Sequence, residues 1–283
     1  MDGRARGQTA AIRRRFAALL TSGPSLDLVE GALLIAAEEY PELDIAREAC
    51  RVASICEEAA RRVAPHSNPF ARLDALSSFL FEDLGFHGNS DQYDDPRNSY
   101  LNDVLDRRLG IPLSLSILYI EAARRAGFEA RGIGLPGHFV VGIEYAERSL
   151  LVDPFHGGHL ISEEDCRELV IRTTGRASMY RRDLLDGTTP RAMLTRLLLN
   201  LKRIYLARED YTRSLAAVDR LLMISPDDAK EVRDRGFLLA HLGRPGAAVA
   251  DLEAYLALAP GAPDANSVRG RVAWLVRKMS EIH

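Results

Sequence analysis

The sequence predicts an α+β protein: a helical leader, a central helix that runs into a small antiparallel sheet, and a tail of helical hairpins. Three observations carry this. Apolar residues recur at three- and four-residue steps through the first 86 positions. Beyond Gly127 that period gives way to short apolar runs parted by Gly and turn residues. Near the end, Pro226 and Pro260 stand 34 residues apart, each preceded by the same lattice of apolar and small residues.

The leader reads as helix from Ala10 to about Phe86. Its steps include Leu26, Val29, Ala32, Leu33 and Ala36, with Ser25 expected as the cap and Pro41 as the stop. Val52, Ile55, Cys56, Ala59 and Ala60 mark a second helix. A third runs from Pro69 through Leu73, Leu76, Phe79 and Leu80 to a halt at Gly85. Residues 87–100 are polar and turn-rich, hence a loop. At its end Ser99 is the expected helix cap, with Asn98 and Asn102 as either capping or groove-lining residues.

The central helix spans Ser114 to Ala126, stopped by Gly127, with Pro112 in the first-turn position where proline is tolerated. Ala130–Leu135, His138–Tyr145 and Ser149–Val152 read as strands. In the tail, Leu198, Tyr205, Ser214, Val218 and Leu221 precede Pro226 at the same offsets as Val232, Leu239, Ala248, Leu252 and Tyr255 precede Pro260. The period is that of tetratricopeptide repeats, and Ser267–Met279 is the expected closing helix. The divisions expected are 1–86 for the leader, 87–190 for the core, and 191–283 for two repeats with the closing helix.

Bulk properties fit this plan. The chain has 283 residues, enough for two or three compact units, with 47% apolar and 27% charged residues. A net charge of −3 and a pI near 6.2 supply no global basic field, so no nucleic-acid or anionic-membrane partner is expected. The arginines between Arg4 and Arg15 read as a solvated tail or helix face. Cys50, Cys56 and Cys166 are too few and scattered for a disulfide framework, and all three are expected to be packing residues of a chain in a reducing cytoplasm. The N-terminus lacks signal-peptide order, and no apolar run nears the roughly 20 residues of a membrane span.

Three segments stand out for chemistry: N-S-Y-L-N at 98–102, L-P-G-H-F at 135–139 and V-D-P-F-H-G-G-H at 152–159. His138 opens one strand and Asp153 closes another, and adjacent antiparallel strands can set such residues face to face. An imidazole bonded to a carboxylate is held in one tautomer, as a general base requires; the same pair can also simply fix a turn. His138, Asp153, His156 and His159 could also gather around zinc, but Gly157 and Gly158 suggest a turn in which the last two histidines diverge. No metal or cofactor is therefore assigned.

The run from N-S-Y-L-N through G-I-P-L-S-L-S and P-G-H-F to D-P-F-H-G-G resembles the transglutaminase-like family, in particular its SirB-type bacterial branch. That branch sets a papain-like core between a helical leader and tetratricopeptide repeats. Arg124, Gly127, Ala130 and Arg131 take the family's helix-end positions, His138 its histidine and Asp153 its aspartate. Counting back without gaps puts Pro112 at the family's catalytic cysteine, and proline offers neither a nucleophile nor an N–H. The resemblance thus implies a non-catalytic protein- or peptide-binding module. The alternative is a serine-dependent hydrolase or acyltransferase using Ser116 or Ser114 with His138 and Asp153; Ser116, four residues past Pro112, shares its helix face. Asn98, Asn102, Pro112 and His156 are the expected binding residues beside that site.

Overall fold

The computed structural model describes residues 3–145 and 148–281, and the chain divides into two compact units, residues 1–197 and 198–283. In the first unit, α1 (Gly3–Leu20), α2 (Leu28–Glu39), α3 (Ile45–Val63) and α4 (Pro69–Ser77) form the helical leader. Asp27 caps α2, its side chain accepting from the Glu30 N–H, whereas Ser25 closes a short 3-10 turn just before it. The expected cap lies two residues early because serine and aspartate both suit the position, and the chain is still turning at Ser25. Arg13 and Arg15 on α1 pair with Glu38 and Glu30. The side chains of residues 4–6, in the same basic cluster, lie outside the described residues.

The third leader helix does not run on as a plain α-helix to Gly85. After Ser77 it widens into a π-helical turn, Ser78–Asp83, and Gly85 closes it at φ +70°. The loop beyond is more ordered than its composition suggests. Its β1 (His87–Gly88) pairs in parallel with β2 (Leu109–Gly110), which comes after α5 (Leu101–Arg107). Tyr100, not Ser99, holds the N-cap position of α5 and makes no side-chain cap bond.

The central helix α6 (Pro112–Arg125) begins with Pro112 at its first position and ends before Gly127, which adopts φ +84°. Beyond it β3 (Ala130–Leu135), β4 (His138–Tyr145), β5 (Arg148–Asp153) and β6 (His159–Ile161) form an antiparallel meander in sequence order. The β6 strand was not legible in the sequence: three residues after a Gly-Gly turn are too few to show a period. The β3–β4 turn is Pro136-Gly137, with Gly137 at φ +76°, the proline–glycine arrangement of a type II turn.

Sheet register decides which residues meet. Val141 pairs with Val152, so one step further Asp153 stands beside Val140. His138 lies two residues before Val140 on the same face, and a diagonal pair across the ladder results. This face also carries Ile133, Leu135, Val140 and Leu151, packed against Cys166, Leu169 and Val170 of α7 (Glu163–Thr174). The helix α8 (Pro190–Ala207) then passes the division between the units.

In the second unit α9 (Tyr211–Ile224), α10 (Ala229–His241), α11 (Pro245–Leu258) and α12 (Ala265–Ser280) complete the chain's helices. All ten lattice positions preceding Pro226 and Pro260 are buried. Gly236 lets α10 approach α11 closely, since a Cβ there would meet Leu252 at 2.8 Å. Of the arginines in the first repeat, Arg203, Arg208 and Arg213 are exposed but Arg220 is buried at 1% exposure. Its spacing places it on the inward stripe of α9, among Ala217, Val218 and Leu221. Among the described residues, no helix is long and apolar enough to cross a membrane.

Candidate functional site

The site is built around Asp153, the last residue of β5. Its Oδ2 accepts from His138 Nε2 at 2.9 Å and from His156 Nδ1 at 2.7 Å, and its Oδ1 accepts from the Phe155 N–H at 3.0 Å. One carboxylate thus satisfies two imidazoles and caps the 3-10 turn Pro154–His156 directly after it. Asp153 and His138 are buried, while the His156 side chain is 52% exposed. The Gly158 N–H donates back to the Asp153 carbonyl at 2.8 Å, and left-handed Gly157 and Gly158 complete the turn.

This geometry sets the electrostatics. Burial works to raise the Asp153 carboxyl, but the bonds from His138 and His156 outweigh it and hold the group well below the ordinary carboxylate range. The bond to Asp153 raises His156 above the usual imidazole value against partial burial. The rings of His138 and His156 stack at 5.6 Å, and Phe155 stands edge-on to both. With Nε2 committed to Asp153, the His138 nitrogen left for other chemistry is Nδ1.

Two contacts set this turn beside α6. Phe155 packs on Gly88, whose strand pairs with the two residues just ahead of Ile111; a Cβ on Gly88 would meet the Phe155 ring at 2.6 Å. Ser77 donates to the Gly158 carbonyl at 2.8 Å and accepts from the Tyr119 hydroxyl of α6 at 3.3 Å. Arg196 of α8 donates to the carbonyls of Leu135 and His138, both at 2.6 Å, clamping the turn that delivers the histidine. Ser77 and Arg196 were not singled out in the sequence. They are distant in the chain, and only the tertiary fold brings them here.

The two candidate serines differ. Ser114 Oγ donates to the Asn98 carbonyl at 2.6 Å and accepts the Ile111 N–H at 3.0 Å, so it joins the start of α6 to the loop before it. Ser116 is fully buried, and its Oγ has no hydrogen-bond partner among the described residues. Neither hydroxyl is bonded to His138. Asn98 organises the loop: its Nδ2 donates to the Gln92 and Tyr93 carbonyls and its Oδ1 accepts from Asn89 Nδ2. Asn102 is buried with its Oδ1 unpartnered among the described residues. His159 starts β6, exposed, and stands apart from the His138–Asp153–His156 cluster. Cys56 and Cys166 are buried, which pushes each thiol up to about 12; Cys50 is exposed and so is not the packing residue expected of it. Its position on α3 falls outside the buried stripe of Val52, Cys56 and Ala59.

Two family models match the chain. Residues 49–199 match the transglutaminase-like superfamily, and residues 201–273 match the tetratricopeptide repeat. The chain belongs to the transglutaminase-like superfamily, among the UPF0162 proteins. It is 37% identical over 262 residues to a UPF0162 protein of Xylella fastidiosa, covering 92% of this chain and 93% of that one. A UPF0162 protein of Vibrio cholerae is 29% identical, with 88% and 92% covered. The UPF0162 protein YchA of Escherichia coli K12 is 25% identical, with 90% and 95% covered. No solved structure matches the chain significantly.

Proposed function

We propose that this transglutaminase-like chain is a non-catalytic, SirB-type module that binds a protein or peptide partner. The observation that carries the reading is Pro112 at the first position of α6, where acyl transfer in this superfamily places its cysteine. A thiolate there would be stabilised by the helix N-terminus and a nearby imidazole; proline supplies no nucleophile and no N–H. Ser114, the nearest hydroxyl, is committed to Asn98 and Ile111. The tetratricopeptide repeats add a scaffold whose stacked hairpins suit extended peptides or helices. On this reading the His138–Asp153 pair fixes the turn and shapes a pocket wall.

A serine-dependent hydrolase or acyltransferase is the second reading, and Ser116 is the observation that favours it. Its hydroxyl is unpartnered among the described residues and lies one helical turn beyond Pro112. A fluorophosphonate probe separates the two. The non-catalytic reading expects Ser114 and Ser116 unmodified by intact-chain mass spectrometry; stoichiometric labelling of Ser116 that vanishes in His138→Gln would overturn it. Binding is tested by fluorescence anisotropy against a library of labelled peptides, where saturable binding unaffected by Ser116→Ala is expected.

A further inference from the structure

We propose that His138, Asp153 and His156 form a binding site for one divalent transition-metal ion of the zinc class. The proposal goes beyond the binding reading, which requires no ion, and neither depends on the other. Three ligand atoms, one per residue, all lie within 4.8 Å of one another. Both imidazole nitrogens aim at the same carboxylate oxygen, at 2.9 and 2.7 Å. Neighbouring ligands of a tetrahedral zinc ion with bonds of about 2.1 Å stand about 3.4 Å apart. The two nitrogen–oxygen edges are shorter than that by about half an ångström, so an ion is admitted when the side chains spread slightly and each imidazole gives up the proton it points at Asp153.

The ligand chemistry is suited to such an ion. Two neutral imidazoles and one carboxylate fit zinc, cobalt or iron(II), and they leave further coordination positions open. The ligands are oriented from behind, as metal sites require. Asp153 Oδ1 is held by the Phe155 N–H, which turns Oδ2 toward the histidines. The His138 carbonyl is clamped by Arg196, and the turn bearing His156 is closed by the Gly158 N–H on the Asp153 carbonyl. His138 and Asp153 are buried while His156 is half exposed, so the open positions face the solvent side, where a water or a ligand donor can enter.

His159 supplies the internal control. It shares the D-P-F-H-G-G-H segment and pairs with Asp153 across β5 and β6, yet its side chain is exposed and outside the cluster. A site made by histidine-rich composition would use it; a site made by geometry would not.

The experiment takes the full chain, strips it with a chelator, and titrates it with Co2+ followed by visible absorption and with Zn2+ by calorimetry. One ion per chain is expected, with a cobalt d–d spectrum that Zn2+ abolishes. His156→Gln, at a half-exposed position that does not threaten folding, should weaken binding at least about tenfold, and His138→Gln likewise. His159→Gln should bind as the unchanged chain does, and far-UV circular dichroism verifies that each variant is folded. Absence of a stoichiometric cobalt spectrum from the folded chain overturns the site, as does a spectrum equally strong in His156→Gln.

Discussion

Ser114 donates its hydroxyl to the main-chain carbonyl of Asn98 at 2.6 Å and thereby ties the first turn of α6 to the loop ahead of it. The same oxygen accepts the Ile111 N–H. Ser114→Ala therefore removes both bonds and leaves the Ile111 N–H and the Asn98 carbonyl only their direct 3.3 Å contact with each other, at a cost of about 1–2 kcal/mol. Ser116→Ala removes a hydroxyl that has no partner among the described residues, and should cost less than about 1 kcal/mol. Urea unfolding with unchanged slope measures both. If Ser116→Ala proved as costly as Ser114→Ala, its hydroxyl would have a partner this structure does not show.

The thiols yield a pH prediction. Burial pushes Cys56 and Cys166 up to about 12, so neither offers appreciable thiolate between pH 7 and 9. Alkylation needs the thiolate, and only exposed Cys50 should react at pH 8 in the folded chain. Peptide mapping after iodoacetamide should find one modified site in native buffer and three in denaturant. A second site modified at the rate of Cys50 under native conditions would contradict the packing of α3 or α7.

Gly158 and Gly85 offer a matched pair. Both take positive φ, +71° and +70°, so alanine strains either backbone by about 1 kcal/mol. At Gly85 a Cβ meets nothing within 4 Å. At Gly158 it would collide with the Phe81 ring and sit 2.5 Å from Ser77 Oγ, the group that holds the turn. Gly158→Ala should therefore lower stability by about 2 kcal/mol more than Gly85→Ala, and it should also weaken the His156–Asp153 contact. Thermal melts and histidine NMR shifts read the two effects.

Much of this fold was written at short range. The strands Ala130–Leu135 and His138–Tyr145 and the start of α6 at Pro112 come from period and turn chemistry alone. The repeat lattice was legible because each hairpin must bury the same stripe, and all ten of its positions are buried. Features set by tertiary contact escaped. The π-helical turn at Ser78–Asp83 places Phe81 against Tyr119, 6.0 Å between ring centres, and nothing in its sequence announces a widened turn. At the candidate site the His138 and Asp153 positions were visible in their motifs. The partition between Ser114 and Ser116 was not, since both are small polar residues near the start of one helix and only the Asn98 carbonyl tells them apart.

Arg196 makes the most exacting prediction about where the chain can be cut. Its guanidinium holds the Leu135 and His138 carbonyls and stacks over the Phe139 ring at 5.4 Å, so it fixes both ends of the turn that presents His138. Arg196→Ala leaves two carbonyls without that donor and should cost about 3 kcal/mol. A chain ended before Thr195 loses the same side chain together with buried Leu197, and should unfold at lower urea or fail to fold. A chain ended after Ala207, where α8 stops, keeps both and should retain the His138–Asp153 bond. That longer truncation is the right one for asking whether residues 208–283 bind partners. Folding is read by circular dichroism, and the His138 ring by NMR. If the chain ended before Thr195 melts as cooperatively and as late as the one ended after Ala207, Arg196 does not hold the turn and its contacts with the two carbonyls contribute nothing.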